Sequence, residues 1–274
     1  MSTFLYGANV QANGIRQHFL RYGRQSESRG DRDAVVIIPG ITSPAVTWAF
    51  VGERFGQYFD TYVLDVRGRG LSEAGPSLDY SLDAQAADLI AFCEALDLTR
   101  YSWVGHSMGA RIAVRAAASS PEGLSRLVLV DPPMSGPGRR PYPSNLAWYV
   151  DSIRLSRRGM SIDQMREFCP TWTEKQLSLR AEWLHTCDER AVVTSFEGFH
   201  VDDIHSNFNS IKQNVLLVTA ERGDVVNDAD VAEIRAMIPD LEHIRVSDAG
   251  HMIPWDNEEG FYRAFGQFLG DSLG

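Results

Sequence analysis

A chain of 274 residues with 44% hydrophobic and 23% charged residues can bury one large core, with room for an inserted subdomain. Its net charge of −10 has no basic block to offset it, which argues against nucleic-acid binding. No apolar run approaches the length that spans a bilayer, so no membrane partner is expected either.

The start, Met1-Ser2-Thr3-Phe4-Leu5-Tyr6, has neither a basic region nor a long apolar core, and no secretion signal is read there. Cys93, Cys169 and Cys187 lie far apart without metal-like spacing. They read as reduced small hydrophobes of a cytoplasmic protein, and no metal site is expected.

In chain order, the runs Thr3 to Val10 and Ile15 to Tyr22 flank Asn13-Gly14, a dipeptide suited to the positive φ angles of a tight hairpin. Asp33 to Ile38 is apolar on both faces and ends at Pro39-Gly40, which places it inside a parallel sheet covered by helices. Trp48, Val51 and Phe55 recur at helical spacing within residues 45–59, and Thr61 to Asp65 is another buried strand. A helix over 82–97 follows, then a strand over 101–104, a helix over 110–118 and a strand over 124–130.

After Asp131 the rhythm changes. Pro132 to Pro143 is a strand-free linker rich in proline and glycine, and residues 144–209 show helical patterns only. Two helices there are expected to open on capping boxes, Ser161 with Gln164 and Thr171 with Glu174. Alternation resumes with a strand over 214–219, a helix over 228–238, a strand over 242–247 and a helix over 257–269. The prediction is an α/β protein: a mostly parallel, doubly wound sheet from residues 1–131 and 207–274, with a helical lid, 132–206, inserted after the sixth strand.

Between the strand ending at Val104 and the following helix stands Gly105-His106-Ser107-Met108-Gly109. A strand, a tight turn with glycine two positions either side of a serine, and a helix make a nucleophile elbow. The turn demands unfavourable angles of the serine, and side chains at Gly105 and Gly109 would meet neighbouring backbone. Ser107 is therefore read as a catalytic nucleophile, the plainer alternative being a glycine-rich turn with a space-filling serine.

A serine hydroxyl needs a base, and the base needs an orienting acid. His251 is the base favoured, because Asp248 to Pro254 forms a loop between the last strand and last helix, at the sheet's carboxyl edge. His106 sits inside the elbow and is read as packing locally; the remaining histidines lie in or beside strands or in the lid. Asp224, on the loop after the strand ending at Thr219, is favoured as the acid for its reach. Asp131, at the end of the preceding strand, is the second candidate; Asp248 is read as shaping its own loop, and Glu221 is a weaker choice. Either aspartate could instead be a plain turn cap. The oxyanion is assigned to the backbone N–H groups of Met108, just after the nucleophile, and Ile41, after Pro39-Gly40.

These residues together resemble the α/β-hydrolase superfamily across nearly the whole chain. Asp65-Val66-Arg67-Gly68-Arg69-Gly70-Leu71-Ser72 is similar to that superfamily's loop after the fourth strand, a structural rather than catalytic element. One departure is that Ile38-Pro39-Gly40 lacks the histidine that often precedes the glycine, which removes a side chain and leaves the backbone donor in place.

The stretches Asn9 to His18 and Gly136 to Pro143 further resemble the N-formylmaleamate deformylases, a group within the superfamily that serves bacterial nicotinate breakdown. That resemblance implies hydrolysis of a small carboxylate-bearing N-formyl amide to maleamate and formate, without metal or organic cofactor. Under it, Arg139 or Arg140 would hold the carboxylate, while Trp148, Trp172, Trp183, Phe196 and Phe199 could wall the pocket. Residues 132–160 hold five arginines against one aspartate, a local balance that could draw in a small anion or be no more than a solvated face. An enol-lactonase, a carboxylesterase and a hydrolase of carbon–carbon bonds in ring-cleavage products are the other readings, as is a ligand receptor on a hydrolase scaffold. Oligomeric state is not legible.

Overall fold

A computed structural model describes residues 2–24 and 33–274; Met1, the first residue of the start segment read above, lies outside the described residues. One eight-stranded sheet organises the chain. The strands are β1 (Phe4–Ala12), β2 (Ile15–Tyr22), β3 (Ala34–Ile38), β4 (Asp60–Leu64), β5 (Tyr101–His106), β6 (Leu124–Val130), β7 (Asn214–Ala220) and β8 (Glu242–Val246). Their order across the sheet is β1-β2-β4-β3-β5-β6-β7-β8. The hairpin β1–β2 and the pair β2–β4 are antiparallel, and every other pairing is parallel.

Asn13 and Gly14 take the positive φ angles that the hairpin turn requires. All residues of β3, β4 and β5 are buried, as two-sided helical cover demands. That cover comes from α1 (Ala49–Phe55), entered through a 3-10 turn at Ala45–Trp48, with α2 (Leu82–Ala95), α3 (Met108–Ala117), α9 (Asp228–Met237), α10 (Ile253–Asp256) and α11 (Glu258–Ala264).

Between β6 and β7 the chain forms helices only: α4 (Leu146–Ser156), α5 (Ile162–Phe168), α6 (Glu174–Trp183), α7 (Glu189–Val201) and α8 (His205–Phe208), with a 3-10 turn at Leu184–Thr186. Ser161 and Gln164 form the capping box that opens α5. The box that opens α6 is Thr173 with Gln176, two residues later than Thr171 with Glu174. Both pairs fit the same sequence rule, and Thr171 instead bonds Asp256 across the gap to α10.

The insertion is fastened to the core by buried arginines. Arg111 of α3 donates to the carbonyls of Pro133, Ser135, Gly198 and Asp202, at the two ends of the helical segment. Arg69, in the loop after β4, donates to Ile41 O, Arg67 O, Ala191 O and Ser195 Oγ. That loop therefore holds both the β3 turn and α7 in place. Gly68 and Gly70 there have φ of +74° and +58°.

Candidate active site

The β5–α3 junction carries the strain that its sequence anticipates. Ser107 has φ 54° and ψ −119°, outside the regions comfortable for a residue with a side chain. A Cβ at Gly105 would stand 2.5 Å from Gly109 O, and one at Gly109 would stand 2.0 Å from Ile38 O. Both glycines are required by backbone approach. The turn is held by Ser107 N–H donating to Val130 O at 2.9 Å. Met108 is the first residue of α3, so its N–H lies outside the intrahelical ladder.

His251 stands beside the elbow serine. Its Nε2 is 2.9 Å from Ser107 Oγ. Its loop is fixed on both sides: Asp256 accepts from Gly250 N–H, Glu221 accepts from Asp248 N–H, and Arg222 donates to Asp248 O. Asp248 takes φ 54° and shapes this turn, while Glu221 caps it.

The carboxylate that meets His251 is that of Asp131, not of Asp224. Asp131 Oδ2 is 2.7 Å from His251 Nδ1, and the aspartate is 1% exposed. The reason is topological. β6 lies beside β5 in the sheet, so the residue that ends β6 stands next to the elbow. Asp131 adopts φ 47°, its N–H donates to Val218 O, and its Oδ1 accepts from Ala220 N–H at 3.4 Å. Asp224 lies four residues past the end of β7, one strand further away, and is exposed at the cavity rim.

Ser107 and His251 open on a cavity of about 400 Å³, within the range of small-ligand pockets. Gly40 and Ile41 line it from the β3 loop, and a Cβ at Gly40 would lie 3.4 Å from Ser107 Cβ. The loop assigned to the oxyanion thus sits against Ser107, and Arg69 anchors it through Ile41 O.

Of the five aromatics expected to wall the pocket, Trp148 and Trp172 line the cavity. Trp172 stacks on Trp255 of α10 with ring centroids 5.1 Å apart, joining insertion to core. Trp183 does not line the cavity among the described residues, and Phe196 and Phe199 pack one layer back against Tyr142.

The two arginines assigned to the substrate carboxylate are occupied elsewhere. Arg139 pairs with Glu233, and Arg140 with Asp230 and with the carbonyls of Asp224 and Val225. They tie the linker to α9 and its preceding loop, so these two charges are matched within the fold.

Three contributors escaped the sequence reading. Tyr142 is buried in the cavity wall, its hydroxyl 3.4 Å from His251 Nε2 and 3.3 Å from Tyr149 Oη. Burial holds its phenol well above the usual range, so it is neutral and able to donate. The fully buried His106 donates from Nε2 to His251 O at 2.9 Å, holding the His251 backbone in place. Burial pushes the His106 pKa down to about 3, so its ring is uncharged.

Arg180 of α6 is the third, and it lines the cavity. Its sequence signal was a charge on an apolar stripe: Leu177, Arg180, Ala181 and Leu184 share one helix face.

Comparison with known proteins identifies the family and the fold. Residues 33–258 match the family model of the alpha/beta hydrolase fold. The chain belongs to the α/β-hydrolase family. It is 60% identical over 273 residues to N-formylmaleamate deformylase of Pseudomonas putida, with all of both chains covered. The crystal structure of a serine-to-alanine variant of N-formylmaleamic acid deformylase from Pseudomonas putida superposes with a TM-score of 0.89 at 53% identity, covering 94% of this chain and 99% of that one. An enol-lactonase from Burkholderia xenovorans superposes with a TM-score of 0.77 at 19% identity, over 96% of this chain and all of that one, a likeness of fold alone. No helix among the described residues is long and apolar enough to cross a membrane.

Proposed function

We propose that this α/β hydrolase is an N-formylmaleamate deformylase in which Ser107, His251 and Asp131 act as nucleophile, base and orienting acid. The supporting observation is the unbroken chain Ser107 Oγ, His251 Nε2, His251 Nδ1, Asp131 Oδ2, with separations of 2.9 and 2.7 Å, facing a cavity sized for a small substrate. The 60% identity to the Pseudomonas putida deformylase over the full chain supports the substrate. On this reading residues 132–206 are a lid domain over the hydrolase core. The reaction belongs to nicotinate breakdown in the cytoplasm, in keeping with three buried, unpaired cysteines.

The substrate has a formyl group on an amide nitrogen that also carries the maleyl carbonyl. Ser107 Oγ attacks the formyl carbon while its proton moves to His251 Nε2, and Asp131 holds Nδ1–H and stabilises the imidazolium. The oxyanion is received by the N–H groups of Ile41 and Met108. Collapse breaks the bond from formyl carbon to nitrogen, and His251 returns the proton to that nitrogen, releasing maleamate. Conjugation to the second carbonyl makes this nitrogen a better leaving group than an ordinary amine. Water, deprotonated by His251, then attacks the formyl ester on Ser107, and collapse frees formate and restores the hydroxyl.

The test is a substrate panel. Purified protein should release formate from N-formylmaleamate far faster than it opens an enol-lactone or cleaves p-nitrophenyl acetate. Rapid lactone or ester turnover without formate would replace this substrate with one of those classes, and ligand binding without any turnover would favour a receptor.

A further inference from the structure

Among the described residues, buried arginines are matched to acceptors, with one exception. Arg69 and Arg111 are each 1% exposed; Arg69 donates to five acceptors and Arg111 to four. Arg67, 5% exposed, pairs with the buried carboxylate of Asp88. Arg180 is 4% exposed and finds its oxygen acceptors on Thr42, with Nη1 donating to the carbonyl at 3.1 Å and Nη2 to the hydroxyl at 3.0 Å, beside the neutral thiol of Cys169. Its Nε–H is buried and has no hydrogen-bond partner. Arg115 and Arg140 share that orphaned Nε, yet each has a carboxylate at hand, Asp83 and Asp230. Among the described residues Arg180 has no carboxylate within ion-pairing distance.

The surroundings hold the guanidinium in place without neutralising it. Its carbon lies 5.8 Å from the Trp148 ring centroid and 5.6 Å from that of Trp172, so two aromatic faces bracket the cation. The thiol of Cys169 is adjacent, and burial raises its pKa, which keeps it uncharged. Thr42, which anchors the cation, directly follows Ile41, the residue assigned to the oxyanion. Arg180, Trp148, Trp172 and Ser107 line one cavity. A buried cation with an unmatched donor, lining the cavity of Ser107, is suited to receive an anion there.

We infer that Arg180 is the specificity-determining anion site of this enzyme. It receives the carboxylate of the substrate and so sets which carbonyl of the amide stands over Ser107. This rests on the proposed action on a carboxylate-bearing N-formyl amide, and it transfers the anchoring role from Arg139 and Arg140 to a residue of α6. The same site admits small carboxylates of similar reach, such as maleate, and discriminates against their uncharged amides.

Inhibition of p-nitrophenyl acetate cleavage tests the anion site independently of deformylation. Maleate should inhibit wild type at least tenfold more strongly than maleamide, which needs no variant. Arg180→Gln should raise the inhibition constant for maleate at least tenfold and leave that for maleamide within about twofold. Arg180→Lys should fall between. With N-formylmaleamate, Arg180→Gln should raise KM more than it lowers kcat. Equal inhibition of wild type by maleate and maleamide, or an unchanged maleate constant in Arg180→Gln, would overturn the assignment. Failure of wild type to release formate while maleate inhibition still depends on Arg180 would instead remove the deformylase reading and leave the anion site standing.

Discussion

Asp131 and His251 are separated by 120 positions in the chain and 2.7 Å in space, and the aspartate reaches the imidazole from the end of the strand adjacent to the one that leads into Ser107. Asp131→Asn should preserve the contact yet leave the ring in the wrong tautomer. The expected loss in kcat is about 10³- to 10⁴-fold at neutral pH. Asp224→Asn should stay within a few-fold of wild type, because that side chain is exposed at the rim. Steady-state kinetics of the two variants decide between the acids, and a reversed pattern would reject Asp131.

Ser107→Ala and His251→Ala should each lower kcat by about five to six orders of magnitude, and the double variant should be scarcely worse than either single one. The two groups act as one unit through their 2.9 Å contact. Additive losses, measured by formate release, would mean that they act in separate steps.

Arg139→Ala and Arg140→Ala should act on stability rather than on recognition. Each loses a carboxylate partner on α9, Glu233 or Asp230, so a fall in melting temperature is expected. KM should change by the same factor for N-formylmaleamate and for a neutral ester. A rise confined to the anionic substrate would return these residues to the binding site.

Much of this arrangement is legible in the chain. The eight strands, the hairpin turn at Asn13-Gly14 and the elbow follow from periodicity and turn chemistry, because buried parallel strands and tight turns leave few residue choices. The order of strands across the sheet is not local information. Asp131 and Asp224 both follow strands and both carry carboxylates; only the pairing of β6 with β5 separates them. Arg139 and Arg140 announced themselves by charge and were already neutralised, whereas Arg180 was concealed among apolar neighbours. Composition counts charges, and which of them remain unpaired is settled by packing.

His106 makes a pH-dependent contribution whose sign is fixed by its burial. The unfolded chain binds a proton at this ring below its ordinary pKa of 6.5, and the folded protein does not until about pH 3. Stability is therefore unaffected above pH 6.5 and falls as pH drops from 6.5 towards 3, by up to about 1.4 kcal/mol per pH unit from this group. His106→Gln, which can still donate to His251 O, should show a shallower acid-side loss in denaturant titrations. Identical slopes for the two proteins would place a proton on folded His106.

The glycines of the elbow predict a stability effect distinct from the chemistry. Gly109→Ala would force a methyl to within 2.0 Å of Ile38 O and should cost about 3 kcal/mol or more of folding stability. Gly138→Ala, on the linker with open space around its Cβ position but φ of +72°, should cost only about 1 kcal/mol. Urea midpoints measure both, and equal losses would remove steric contact as the reason for the motif.

Isotope labelling tests the central claim most directly, because the substrate has two carbonyls on one nitrogen and either could stand over Ser107. In water enriched with oxygen-18, attack at the formyl carbon places the label in formate and leaves maleamate unlabelled, and Ser107→Ala should produce neither. Formamide together with labelled maleate, or labelled formate formed undiminished by Ser107→Ala, would contradict the account.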